Sequence, residues 1–336
     1  MTTRRSPLVT ALKVLVAGAV VVSIGKALGH YGHSLAGRVE QVSWAWLGVA
    51  FAVSMVYRLL NAYQWILVLR ALRQRIALGK GIRLWLVTET LRWLPGGMWG
   101  MVSRAVQAKD AGVPPLVGSL SSALELFLVI ASWGLAAVAG LALSGVQGAL
   151  LASLPTAWIL ASVGALLATV GVAFALARWK PSATISRKMR GLRESLGQLQ
   201  AARPSGPWMG ATFLYMVAIC FVQGAAFLAV LRATSQLVPT FLAVTGINAV
   251  GWLVGFFAFF APTGLGVREG GITAMLSPLM PLDAVLVAVV LWRIVQIAAE
   301  LLWLALCFVP GLGGIGGRAA APLPPLEPQE RQEPSV

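Results

Sequence analysis

Six stretches of the chain are apolar for long enough to cross a bilayer, and nothing constrains its fold more. They run through Leu8–Leu28, Trp44–Leu69, Leu116–Leu143, Leu154–Leu176, Trp208–Leu231 and Ala284–Phe308. A helix spanning the hydrocarbon core needs about 20 mostly apolar residues. Two further apolar stretches, Ile82–Met101 and Phe241–Met275, are broken in the middle by Pro and Gly. Counting them as crossings gives seven or eight spans by simple hydropathy. Composition closes off the soluble alternative: 58% of the 336 residues are hydrophobic and only 11% are charged, against about 25% charged in a soluble domain. There is too little polar surface to coat a water-facing globule. A soluble enzyme, a disordered chain and a secreted disulfide scaffold are excluded, and the expected fold is an all-α polytopic membrane protein.

The net charge of +15 does not point to nucleic acid, because the basic residues cluster in short segments between apolar runs. Arg4, Arg5 and Lys13 surround the start of the first span. Arg70, Arg73, Arg75, Lys80 and Arg83 follow the second, and Arg178, Lys180, Arg187, Lys188, Arg190, Arg193 and Arg203 follow the fourth. The opposite loops offer Arg38 and Arg232. The positive-inside rule then puts the N-terminus and both basic loops in the cytoplasm, and six spans return the C-terminus there, in the cell (inner) membrane. Lys26 interrupts the first apolar run and no small-residue cleavage site follows, so an uncleaved first helix is expected rather than a signal peptide.

One transmembrane domain over residues 1–309 is expected, built from repeat units of about 44–144 and 207–309 with a basic loop at 178–206 between them. Within that loop Ile185, Met189, Leu192, Leu196 and Leu199 form a helical stripe. Such a helix either lies on the inner leaflet or packs as a short soluble helix on the membrane domain. Residues 310–336 are rich in Gly and Pro and cannot bury a core, so a disordered tail is expected.

The repeat rests on the two interrupted stretches. The first carries Pro95-Gly96-Gly97 with Gly100 and then Arg104, and the second carries Pro262-Thr263-Gly264 with Gly266 and then Arg268-Glu269. Each is followed by a proline-marked turn and a long span holding an ionisable residue at a matching offset, Glu125 in one and Arg293 in the other. On the loop-charge topology the first segment dips in from the cytoplasm and the second from outside, which makes an inverted repeat. Proline removes a backbone donor and glycine lets chains approach, as a re-entrant turn buried in protein requires. Transporters with inverted repeats bind substrate where such broken helices meet.

Charge at membrane depth costs about 2.5–3.5 kcal/mol per residue on insertion scales, so it marks a functional candidate. Helical spacing puts Arg293, Gln296 and Glu300 on one face of the last span, Arg58, Asn61 and Trp65 on one face of the second, and Ser121, Ser122, Glu125 and Ser132 on one face of the third. Glu89 and Arg92 fall within the first interrupted stretch. These groups either line a hydrophilic path or pair with one another across helices. Arginine presents a planar fork of donors suited to phosphate, so anionic or phosphate-bearing membrane lipids are the expected partners. His30 and His33 have no acidic neighbour but Glu40, and Cys220 and Cys307 sit inside apolar runs. No metal site, phosphate loop, aspartate pair or nucleophile motif is legible, so neither a cofactor nor catalysis is expected.

The same residues carry a family resemblance. Arg58-Leu-Leu-Asn-Ala-Tyr-Gln-Trp65, Leu94-Pro95-Gly96 with Gly100 and Arg104, Glu125, Arg293 and above all Pro262-Thr-Gly-Leu-Gly-Val-Arg-Glu269 resemble the motifs of the flippase-like transmembrane family, named for the membrane region of lysylphosphatidylglycerol synthases. Thr263, Leu126 and Val129 depart from that pattern. The resemblance covers most of residues 8–309 and implies a membrane domain that moves a lipid, or a lipid-linked headgroup, between leaflets. Arg58, Asn61, Arg104, Glu125, Arg268, Glu269, Arg293, Gln296 and Glu300 would line the headgroup path. The family's aminoacyl transfer belongs to a separate soluble domain, so no synthase activity is expected here. The alternative is a non-catalytic partner of a lipid-modifying enzyme or glycosyltransferase.

Overall fold

The computed structural model describes residues 40–93, 99–146, 206–258 and 264–309. The expected spans at Leu8–Leu28 and Leu154–Leu176, the basic segment 178–205 and the tail 310–336 lie outside the described residues. So do Pro95, Gly96, Gly97 and Pro262.

Eight α-helices fill the described residues. The first four are α1 (Trp44–Ala71), α2 (Leu78–Glu89), α3 (Trp99–Gln107) and α4 (Pro115–Ala142). The second four are α5 (Gly206–Thr234), α6 (Phe241–Phe257), α7 (Val267–Leu276) and α8 (Leu282–Leu306). A 3-10 turn, Thr90–Trp93, extends α2, and another, Ala108–Ala111, ends α3. Four of them, α1, α4, α5 and α8, are long and apolar enough to cross a membrane, and they match four of the expected spans to within two or three residues. The protein is a multi-pass membrane protein. Each half has the same order: a long helix, a hairpin of two shorter helices, and a second long helix.

Local chemistry explains where the helices begin. Pro114 and Pro115 start α4, where the missing N–H of Pro115 is harmless because first-turn donors have no helical partner. Thr240 caps α6, its hydroxyl accepting the Ala243 N–H at 3.4 Å. Gly264 (φ +69°) turns the chain into α7, and a Cβ there would lie 2.4 Å from the Gly255 Cα of α6. Only glycine meets both demands.

The two interrupted stretches double back. Lys80, at the start of α2, donates to the carbonyl of Asp110 beyond α3 at 2.6 Å, while Gly100 packs on the Thr88 carbonyl near the other ends. In the second hairpin Gly251 faces Ile272 and Gly255 faces Arg268, so α6 and α7 also run antiparallel. Gly266 and Gly270, four residues apart like Gly251 and Gly255, face open space, whereas the α6 pair packs against α7.

The long helices fix the relation of the halves. The N–H of Ser43 donates to the Ala233 carbonyl at 2.9 Å, the Arg232 guanidinium lies 5.1 Å from the Trp46 ring, and the Tyr215 hydroxyl donates to the Leu60 carbonyl at 2.8 Å. Residue numbers rise along α1 as they fall along α5, so these equivalent helices are antiparallel and the repeat is inverted. The α2–α3 hairpin therefore opens on one face and the α6–α7 hairpin on the other. One large apolar cluster gathers toward each face, around Phe227, Ile247 and Met275 in one case and around Trp65, Leu69 and Trp85 in the other.

Candidate functional site

Between these clusters, where both hairpins meet the long helices, lies a cavity of about 190 Å³. Sites that enclose a drug-sized molecule run to about 300–1,000 Å³, so this one has the scale of a headgroup, without room for acyl chains. Its wall takes Ser54, Tyr57, Arg58, Asn61 and Gln64 from α1, Arg104 from α3, Glu125 from α4, Gln223 from α5, Arg268 from α7, and Arg293 and Gln296 from α8. Trp85, Glu89 and Arg92 contribute from the first hairpin, and Gly264 and Trp252 from the second.

Arg104 is the best-held cation. It pairs with Glu125 through Nη1, with Glu89 through Nη2 at 2.9 Å, and donates through Nε to the Thr88 hydroxyl at 3.3 Å. Its guanidinium also lies 5.1 Å from the Trp85 ring and 5.7 Å from the Trp65 ring, where the negative ring faces favour a cation. Trp85 Nε1 donates to Glu125 at 2.9 Å, which leaves that carboxylate with two strong donors. Trp65 Nε1 reaches the Ser121 hydroxyl at 3.1 Å. A second group centres on Glu300, whose Oε2 accepts from Arg58 at 2.7 Å and from Arg92 at 2.5 Å. Arg92 also approaches Glu89 at 3.5 Å, so Glu89 joins the two groups. Arg293 lies 3.5 Å from Glu269, and the other oxygen of Glu269 accepts the Gly266 N–H at 2.7 Å, capping α7.

Arg268 differs from the other four arginines. It is only 7% exposed, yet it makes no ion pair among the described residues. Its Nη2 donates to Asn248 Oδ1 at 3.3 Å, an oxygen that also accepts from Trp292 Nε1 at 3.2 Å. Its Nε has no acceptor. The hydroxyl of Ser54 and the amide oxygen of Gln223, both on the cavity wall, are unpartnered as well.

Seven of the nine residues expected on the path line the cavity: Arg58, Asn61, Arg104, Glu125, Arg268, Arg293 and Gln296. Glu269 and Glu300 stand behind the wall as counter-ions to arginines that line it. The expected serine stripe does not line it. Ser121 and Ser132 return their hydroxyls to the carbonyls of Gly118 and Val129, three residues back on the same helix, and Ser122 bonds the Met101 carbonyl. Trp65 is fully buried behind Arg104. Sequence reasoning named Glu89 and Arg92 as deep charges but left them off the path, and it passed over Gln223. The repeat held the signal for Gln223, which stands as far into α5 as Asn61 stands into α1.

Residues 10–303 match the family described as the lysylphosphatidylglycerol synthase TM region. The chain belongs to this family. No curated protein matches it. Membership in the lysylphosphatidylglycerol synthase TM region family ties the chain to membrane lipid, and the family's span takes in both hairpins and every charge that surrounds the cavity.

Proposed function

We propose that this protein is a lipid translocator of the cell membrane, passing a phospholipid or a lipid-linked phosphate headgroup between leaflets without covalent chemistry. The observation that carries the reading is a charged, headgroup-sized cavity at the junction of two oppositely directed repeats. A polar headgroup crossing the bilayer alone loses its hydration, and fixed guanidinium and carboxylate groups replace part of that shell. Acyl or prenyl chains stay in the lipid. The hairpins, each opening on its own face, act as the gates, and the basic loops lie in the cytoplasm.

The rival reading is a non-catalytic partner that positions a lipid-modifying enzyme or glycosyltransferase. It draws on the four arginines that already have carboxylates, since a purely architectural network would look the same at those positions. Reconstitution of the full chain with labelled phospholipids separates the two. Leaflet exchange several-fold above empty liposomes, slowed by Arg293→Ala, supports translocation. Exchange equal to empty liposomes for phospholipids and polyprenyl-phosphate lipids alike sinks it in favour of the partner reading.

A further inference from the structure

Among the described residues, five guanidinium groups on the cavity wall face four carboxylates that pair with them or line it, an excess of one positive charge. The excess is localised. Arg58, Arg92, Arg104 and Arg293 each have a carboxylate partner, so the group without one is Arg268. A buried unpaired charge is among the least favourable things a fold can hold. Here it shares a cavity with other unused capacity: its own Nε, the Ser54 hydroxyl and the Gln223 amide oxygen, on side chains all more than nine-tenths buried. Three helices thus each bring one unpartnered polar group to one cavity. The Arg268 guanidinium and the Ser54 hydroxyl are donors that suit the oxygens of an anion, the Gln223 amide oxygen accepts from a headgroup hydroxyl, and charge balance admits one negative charge.

From this we infer that Arg268 and Ser54 form a subsite for the monoanionic phosphodiester of an unmodified anionic headgroup, with the Gln223 amide oxygen placed to accept from a hydroxyl of that headgroup. The inference deepens the translocator reading and rests on it only for the source of the ligand. A phosphodiester monoanion neutralises the cavity. A zwitterionic headgroup leaves the excess in place. A lysylated phosphatidylglycerol headgroup, with one phosphate against two ammonium groups, increases it. The subsite therefore selects against the lipid in the family's description and for its unlysylated precursor class.

The test uses the purified full chain in phosphatidylcholine nanodiscs, titrated with short-chain phosphatidylglycerol, short-chain phosphatidylcholine and lysylphosphatidylglycerol, and followed by intrinsic tryptophan fluorescence, to which Trp85, Trp133 and Trp252 on the cavity wall contribute. Phosphatidylglycerol is expected to bind saturably and tightest. Arg268→Met weakens it about ten- to a hundredfold, the range of a charge-assisted hydrogen bond. Competition by glycerophosphoglycerol at equal affinity assigns the subsite to a free phosphodiester, and competition only by acylated probes assigns it to a lipid. Equal binding of all three lipids, or unchanged binding by Arg268→Met, overturns the subsite. A second readout needs no ligand. In lipid-free detergent Arg268→Met is expected to melt at a higher temperature than the wild type, because it removes an unpaired buried charge, while Arg104→Met melts lower. A lower melting temperature for Arg268→Met means that the charge is satisfied by the fold, and sinks the proposal. Wild-type exchange that Arg268→Met leaves unchanged would refute the subsite but not translocation. Selective binding without exchange of any lipid would do the reverse.

Discussion

The two halves of the molecule share a topology and disagree in electrostatics. In the first, the hairpin arginine is held by two carboxylates and two indole rings, with Glu125 on the following long helix as its main partner. In the second, the hairpin arginine leans on the amide oxygen of Asn248, and the long helix carries a cation, Arg293, where α4 carries Glu125. Arg104 lies in the second turn of α3, whereas Arg268 is the second residue of α7. Chain direction and helix lengths repeat because apolar runs and glycine turns set them. The charges do not repeat, so the fold alone does not explain them, and what the second half lacks is a counter-ion.

The comparison can be broken outright by topology. In a background without Cys220 and Cys307, Lys109→Cys and Ser277→Cys mark the hairpin-to-helix turns of the two halves, both exposed. An impermeant thiol reagent should reach them from opposite faces, and same-face labelling removes the inversion. The next largest effect is Glu125→Ala, which removes one of the two carboxylates that hold Arg104 and leaves it Glu89; it should destabilise the protein by about 1.5–3 kcal/mol, the range for a lost hydrogen bond to a charged group. Arg293→Ala, whose Glu269 partner keeps its cap on α7, should lose clearly less in the same denaturation assay. Gly246→Ala probes packing between α4 and α6, because a Cβ on Gly246 would lie 2.8 Å from the backbone nitrogen of Leu141. Backbone cannot step aside, so a loss of about 1–3 kcal/mol is expected, while Gly210→Ala, in open space, should stay within about 0.5 kcal/mol. The smallest difference lies at the hairpin starts. Thr240 caps α6, but Ala77 offers α2 no cap, so Thr240→Ala should lose about 1 kcal/mol and Ala77→Ser should gain a similar amount.

Much of the architecture was legible in the sequence because hydropathy and helix breakers act locally. Four long helices and both interruptions follow from apolar length and from the Pro/Gly segments alone. The faces of helices were legible too: Arg58 and Asn61 share one, and Arg293 and Gln296 share another, as their spacing requires. Partnership was not legible. Arg58 meets Glu300 across 242 positions, and nothing local in α1 or α8 encodes that meeting. The serine stripe misled for a physical reason: a helical Ser can satisfy its hydroxyl on a carbonyl three residues back, so polar spacing on one face does not imply a polar lining. Glu89 was underrated because it lies at the end of a short helix, where a charge ordinarily meets solvent; here the following 3-10 turn carries Arg92 back toward it.

Because α1 and α5 are counterparts laid head to tail, the seam between them is nearly indifferent to which way up it is viewed. On the translocator reading proposed above, a rocking motion about that seam has no built-in arrow: the step that exposes the cavity above resembles the step that exposes it below. Any vectorial bias would then come from side chains that the counterparts do not share, the lone arginine among them.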